Sequence, residues 1–420
     1  APFNGGNGTK SGHVRIYQYN GSGWEQLGSD IDGEEDYDES GSSVSLSANG
    51  SRIAIGAPIN AGNGTKSGHV RIYDYNATRN TWAQLGSDID GEASQDRSGS
   101  SVSLSADGSR VAIGARYNRE VGTTSGHTRI YQYNGSGWAQ LGSDIDGEAI
   151  GDNSGWSVSL SADGSRVAIG AHLNAGNGTQ SGHVRIYQWS GSSWTQLGSD
   201  IDGEAAYDWS GTSVSLSGDG SRVAIGAIGN NGADVDTGHV RIYQWSGSSW
   251  TQLGSDIDGE VADDWLGYSV SLSGDGSRVA IGASQNDVNG YGYTWIYQWS
   301  GSSWTQLGSD IDGEAIGDES GTSVSMSTDG NRVAIGAPLN DGSFVSAGHA
   351  RVYELYFACG NTSTPLTEYK WWSVSRPCGI STDPTIKELF SSPDGTGLGI
   401  YGDENDWVMW KLNGSNADGT

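Results

Sequence analysis

The stretch Gly28-Ser29-Asp30-Ile31-Asp32-Gly33-Glu34 returns five more times, starting at Gly86, Gly142, Gly198, Gly254 and Gly308. Successive starts lie 58, 56, 56, 56 and 54 residues apart. Self-similarity at such a period marks a repeat architecture, in which each unit buries its apolar faces only by stacking on its neighbours. Each unit reads as four strand-like runs. In the unit opening at Gly41, Ser43–Leu46 alternates with period two, and Asn49-Gly50 is a two-residue hairpin signal. Arg52–Ala57 is the second run, His69–Tyr73 the third and Trp82–Leu85 the fourth, and the acidic phrase then links to the next unit.

Four short antiparallel strands per unit predict an all-β fold, a β-propeller of four-stranded blades. Complete units open at Gly41, Gly99, Gly155, Gly211 and Gly267. A sixth opens at Gly321, and its fourth strand is expected within Tyr369–Val374. The N-terminus supplies only third and fourth strands, His13–Tyr17 and Trp24–Leu27. The C-terminal run Thr385–Gly402 resembles first and second strands, so its pairing with the N-terminal half is expected to close a ring of seven blades. The alternative is a separate small β element in the tail. The expected organisation is therefore propeller repeats over 1–355 and an irregular extension over 356–420 that helps complete the sixth and seventh blades. Ala1-Pro2-Phe3-Asn4 matches Ala57-Pro58-Ile59-Asn60 in mid-repeat, so the visible start reads as a processed or truncated end.

The formal net charge of −28 disfavours nucleic acid and anionic lipid and favours cations or basic partners. No apolar run is long enough to span a membrane. Cys359 and Cys378 read as one disulfide, the alternative being two free thiols. Asn-x-Ser/Thr sequons at Asn7, Asn20, Asn49, Asn63, Asn76, Asn134, Asn177, Asn361 and Asn413 point to a secreted glycoprotein.

Gly-x-Ser-Val-Ser-Leu-Ser, then Asp-Gly, Val-Ala-Ile-Gly-Ala-Pro and Gly-His-Val-Arg-Ile-Tyr resemble the FG-GAP repeat of integrin α-like propellers. The Gly-Ala-Pro element stands as Gly56-Ala57-Pro58 and Gly336-Ala337-Pro338, whereas Ser40-Gly41, Ser98-Gly99 and Leu266-Gly267 lack the Phe. The resemblance spans roughly residues 1–355. It implies extracellular recognition or scaffolding, often with calcium, and names no ligand.

The six links hold 29 of the 50 acidic residues and one base, Arg97, so one rim of the propeller is expected to be strongly negative. Within each link the acids keep offsets one, three, five and nine, those of oxygen ligands in a calcium loop. The candidate calcium ligands are Asp30, Asp32, Glu34 and Asp38, then Asp88, Asp90, Glu92 and Asp96, then Asp144, Asp146, Glu148 and Asp152. They continue as Asp200, Asp202, Glu204 and Asp208, then Asp256, Asp258, Glu260 and Asp264, and finally Asp310, Asp312, Glu314 and Asp318. The competing reading is a solvated acidic turn, with Asp38 and its equivalents capping the next strand.

His13, His69, His127, His183, His239 and His349 hold one position of the third strand, with Tyr293 in their place once. With no second ligand at metal spacing along the chain, they read as structural. No nucleophile elbow, phosphate loop or metalloprotease helix appears. The sequence therefore points to a non-enzymatic, structural or adhesive module of an extracellular, cell-surface or filament assembly. Its expected partners are other proteins, glycans or copies of itself. The alternatives are a carbohydrate-active lyase or hydrolase on a propeller scaffold, or an integrin-head-like ligand-binding domain. An enzyme of this kind would show one blade with unlike residues at the functional mouth. The least regular blade is the fifth, with Tyr291-Gly292-Tyr293-Thr294-Trp295, and that departure reads as packing or glycan contact rather than catalysis.

Overall fold

The computed structural model describes residues 1–355 apart from 6, 233, 286–289 and 342–345. The chain divides into Ala1–Tyr353 and Glu354–Thr420. The first unit is an all-β propeller, and no helix occurs among the described residues. In the Gly41 blade the strands Ser43–Leu46, Arg52–Ala57, His69–Asn76 and Thr81–Gln84 pair antiparallel in chain order. Val44 faces Ile55, Ile55 faces Arg71, and Tyr73 faces Gln84. The same sheet recurs in the Gly99, Gly155, Gly211 and Gly267 blades.

The acidic phrase is not all loop. Its Ile-Asp pair forms a two-residue strand on the free end of the third strand, with Val70 opposite Ile89 and His69 opposite Asp90. The fourth strand is thus interrupted and resumes one step later. A two-residue strand carries too little alternation to be read from sequence, yet it buries Ile89, Ile145, Ile201 and Ile257.

The core lies between blades rather than within them. Ala54, Val70, Ile72 and Ile89 of one blade pack on Val102, Leu104, Val111 and Ile113 of the next. First strands of successive blades pack against each other and are the innermost. Each junction between the five complete blades repeats the same polar ties. Leu160 N–H donates to Ser103 Oγ at 2.9 Å, Arg110 to the Gly164 carbonyl at 3.0 Å, and Trp138 Nε1 to the Leu85 carbonyl at 2.8 Å. The outer Trp side chains therefore span the widening gap, as their position in the fourth strand predicts.

The second-strand glycine permits the close inner approach. A Cβ on Gly170 would lie well inside contact distance of the Gly211 carbonyl oxygen and of Ser157 Oγ. Backbone cannot retreat from such overlap cheaply. Gly170→Ala is expected to lower stability by about 3 kcal/mol. Gly137→Ala, at a site with nothing within 4 Å, is the control and should be near neutral. Equal losses on denaturant unfolding would count against this account of the junction.

The expected count of seven blades is corrected to six. The sixth has the described strands Ser323–Met326, Arg332–Ala337 and His349–Glu354. The N-terminal segments form two two-stranded ribbons, His13–Val14 with Ile31–Asp32 and Tyr17–Tyr19 with Trp24–Gln26. Among the described residues no first or second strand pairs with them, so the blades described number six. Tyr369–Val374 and Thr385–Gly402, on which the seventh blade depended, lie outside the described residues, as do Cys359, Cys378, Asn361 and Asn413.

Candidate active site

Among the positions at which the blades differ, three meet at one end of the innermost strands. The residue after the opening glycine is Ser42, Ser100, Trp156, Thr212, Tyr268 or Thr322. The residue after the second strand is Pro58, Arg116, His172, Ile228, Ser284 or Pro338. The last residue of the link is Glu39, Arg97, Asn153, Trp209, Trp265 or Glu319. In an antiparallel hairpin the start of the first strand and the end of the second share one face, here the face of the acidic links.

Trp156, His172, Trp209, Thr212, Ile228 and Tyr268 line a cavity of about 280 Å³ there. The Arg116 guanidinium stacks 4.3 Å from the Trp156 ring centroid, and the His172 and Trp156 centroids are 4.0 Å apart. Arg97 stacks on Tyr117 at 4.7 Å. Burial lowers the Arg116 pKa, and charges on Glu39, one blade back, and Tyr268, three blades on, also reach it. The Tyr268 pKa is raised by burial and then by Glu319. Burial, then Arg116, drives His172 down to about 3, so its imidazole is neutral. Its Nδ1 and the Arg116 Nε are buried without a partner.

The link residues at this mouth carry backbone strain. Glu39, Arg97, Asn153, Trp209, Trp265 and Glu319 all sit in the left-handed region, with φ of 54–56°. That conformation costs roughly 1–2 kcal/mol in any residue but glycine, asparagine or aspartate. Trp209 and Trp265 are poor choices for the turn itself, so their side chains are what the position retains. Strain of this kind clusters at functional sites. Comparing equivalent positions across repeats would have exposed this set in the sequence. The eye goes instead to Tyr291–Trp295 of the fifth complete blade, where Tyr293 and Trp295 are buried and the Tyr293 hydroxyl donates to Asp264 Oδ2 at 3.0 Å.

The acidic candidates are distributed differently from a calcium loop. Asp38, Asp96, Asp152, Asp208, Asp264 and Asp318 are 1–3% exposed. They accept backbone N–H groups of their own link, as Asp208 Oδ2 does from Glu204 and Ala205 at 2.8 Å. Asn60, Asn174 and Asn340 also donate to Asp38, Asp152 and Asp318. Asp30 pairs with Arg15 at 2.8 Å. The four acids of one link do not converge on a point. Instead, the Glu of one link and the first Asp of the following link meet at the third-strand His. The groups are Glu34, His69 and Asp88; Glu92, Glu120, His127 and Asp144; Glu148, His183 and Asp200; and Glu204, His239 and Asp256. His13, Asp30 and Asp32 form a fifth. The acidic and histidine side chains needed to hold a metal are therefore present; apart from Glu120, seven residues before His127, the acids lie 17 or more residues from their histidine along the chain. Burial, then the neighbouring Arg, lowers His127, His183 and His239 to about 4. Burial is likewise the first cause that raises Glu92, Glu148, Asp146, Asp202 and Asp258.

The described sequon residues are all exposed. In three of them the amide nitrogen that would carry a glycan is already donating: Asn7 to the Gly33 carbonyl, Asn63 to Gly91 and Asn177 to Gly203.

No family model matches the sequence, and no curated protein matches it. The resemblance to the FG-GAP repeat therefore has no family support, and what stands is the β-propeller itself. Among solved structures, the chain is similar to a Bacteroides uniformis protein provisionally named a 6-phosphogluconolactonase. The TM-score is 0.54 at 10% identity, over 80% of this chain and 89% of that one. It is also similar to a periplasmic gluconolactonase of Pseudomonas aeruginosa, with a TM-score of 0.50 at 12% identity, over 81% and 95%. At these identities the likeness shows the fold. The expectations of a structural or adhesive module and of a non-enzyme are nevertheless corrected. Both similar structures bear lactonase names, and the unlike residues required of an enzyme gather at one mouth. Among the described residues no helix is long and apolar enough to cross a membrane.

Proposed function

We propose that the chain is a lactonase-type hydrolase that acts on a sugar lactone at the axial mouth. The observation that carries this reading is the convergence of Trp156, His172, Trp209 and Tyr268, from three blades, on one cavity, with Arg116 of a fourth blade stacked on its Trp156 wall. Flat aromatic faces suit the C–H face of a sugar ring, and the polar groups among them suit its hydroxyls. Lactone hydrolysis adds water to the ring carbonyl, puts negative charge on its oxygen and then expels the ring oxygen as a hydroxyl. Arg116 is the cation available to that developing charge. His172, neutral and with a free ring nitrogen, is a hydrogen-bond partner for water or a substrate hydroxyl. Glu39 and Glu319 are the carboxylates available to take the proton of the attacking water. The test is turnover of glucono-δ-lactone and 6-phosphogluconolactone, followed by proton release at constant pH, against the spontaneous rate. No acceleration over buffer with either substrate, or with a panel of other sugar lactones, overturns the reading.

An exported location and calcium at the rim belong to the same proposal. The exposed sequons and the periplasmic neighbour support the first. For the second, Glu34, Glu35, Asn60, Asp88 and Asp90 bring oxygen donors of two links to one cleft of about 340 Å³, where calcium takes these oxygens and leaves the His69 imidazole, which also lines the cleft, uncoordinated. Calcium bound there stabilises the folded state by mass action. The melting temperature should rise with millimolar calcium more than with magnesium, which prefers a tighter, wetter site. Equal responses to calcium, magnesium and matched sodium would mean simple screening of the rim.

A further inference from the structure

We propose that Glu92, Glu120, His127 and Asp144 form a binding site for one zinc-class divalent cation, distinct from the axial mouth. Their ligand atoms all lie within 4.8 Å of one another. His127 is fully buried, and both its ring nitrogens are without hydrogen-bond partners. Its Nδ1 points at the cluster, 3.5 Å from Asp144 Oδ2 and 4.0 Å from Glu92 Oε2. These separations are too long for hydrogen bonds. They suit ligands that share an ion, because two atoms each ~2.1 Å from a tetrahedral zinc lie roughly 3.4 Å apart.

The carboxylates are already aimed. Gln140 donates to Asp144 Oδ1, which leaves Oδ2 toward the imidazole. Arg129 holds Glu92 Oε1 at 3.3 Å, which leaves Oε2 on the same side. Outer contacts of this kind orient metal ligands and sharpen affinity. The site is also particular to one blade. Glu120 stands where Gly62, Gly176 and Gly232 stand in other blades, so among the described residues only here do three carboxylates join the imidazole. An imidazole nitrogen among oxygen donors selects zinc-class ions over calcium, which takes oxygen alone.

The test titrates the metal-free protein with Zn(II), and with Co(II), whose visible absorption reports a low-coordinate site containing nitrogen. One equivalent is expected to bind at least ten-fold tighter than any later one and to resist a large excess of calcium. Glu120→Gly copies the residue of the other blades at an exposed loop position. It should remove that ten-fold gap and leave the circular dichroism and the calcium response unchanged. His127→Tyr copies Tyr293 of the fifth complete blade and should abolish the cobalt band. Should His127→Tyr fail to fold, Glu120→Gly decides alone. The proposal is overturned by a first equivalent no tighter than the rest, by displacement with calcium, or by a gap that survives Glu120→Gly. Lactone turnover is measured separately, so failure of either reading leaves the other standing.

Discussion

Lowering the pH from 7 to about 4 is expected to unfold this protein steeply, despite its acidic composition. His172 is held down to about 3, and His183 and His239 to about 4, by burial and by nearby arginines. In the unfolded chain each titrates near 6.5. Between those values the unfolded state binds more protons, so stability is complete above pH 6.5 and is lost as the pH falls toward the folded pKa. Each imidazole accounts for on the order of 3 kcal/mol over that window. Three together approach the whole stability of a typical domain. The raised pKa values of Glu148, Asp202 and Asp258 work in the opposite sense, because their folded forms gain protons first. These carboxylates belong to exposed residues, so solvent screening keeps their effect small. Relief of net negative charge on acidification is screened likewise. Denaturant midpoints measured from pH 7 to 4 should therefore fall. His239→Tyr, which copies the residue at the Tyr293 position, should flatten the slope by about one proton. A midpoint that holds constant over that range would refute the buried neutral imidazoles.

Replacing Arg116 by Gln is expected to lower kcat/KM for the best lactone substrate by about 100- to 1,000-fold, the usual effect of removing a group that stabilises a developing oxyanion. Gln also removes the guanidinium that stacks on Trp156 and Tyr117. Melting is therefore measured alongside, and kcat/KM is compared at a temperature at which both proteins are folded, which separates catalysis from folding. Trp209→Ala removes an aromatic wall without touching the charge. It should act mainly by raising KM, since its contact is made with substrate and transition state alike. A fully active Arg116→Gln variant of an active enzyme would move the chemistry away from the mouth.

The fold was legible because it is written six times. Alternation, a two-residue hairpin signal and an acidic link recur in order, and strands one to three fall where the pattern puts them. The blade count was less legible, because strand-like runs at the two ends of a chain do not state whether they pair. The mouth was not read from the sequence, and the acids were grouped differently from how they meet. The calcium pattern lay in adjacent acids, whereas backbone amides claim Asp38 and its equivalents, and Glu34 turns to Arg71 at 3.2 Å.

By itself the sequence determined the period, the strands, the glycine at each blade junction and the concentration of charge on one rim, because these follow from local alternation, turn chemistry and composition. Only the tertiary structure decided which residues meet. Glu92, His127 and Asp144 lie far apart along the chain, as do Glu39, Arg116 and Tyr268. Each set is assembled because a blade brings its own third strand beside both flanking links, and because the ring carries the ends of successive inner strands toward one axis. That convergence is a property of how the blades stack, and no single repeat contains it.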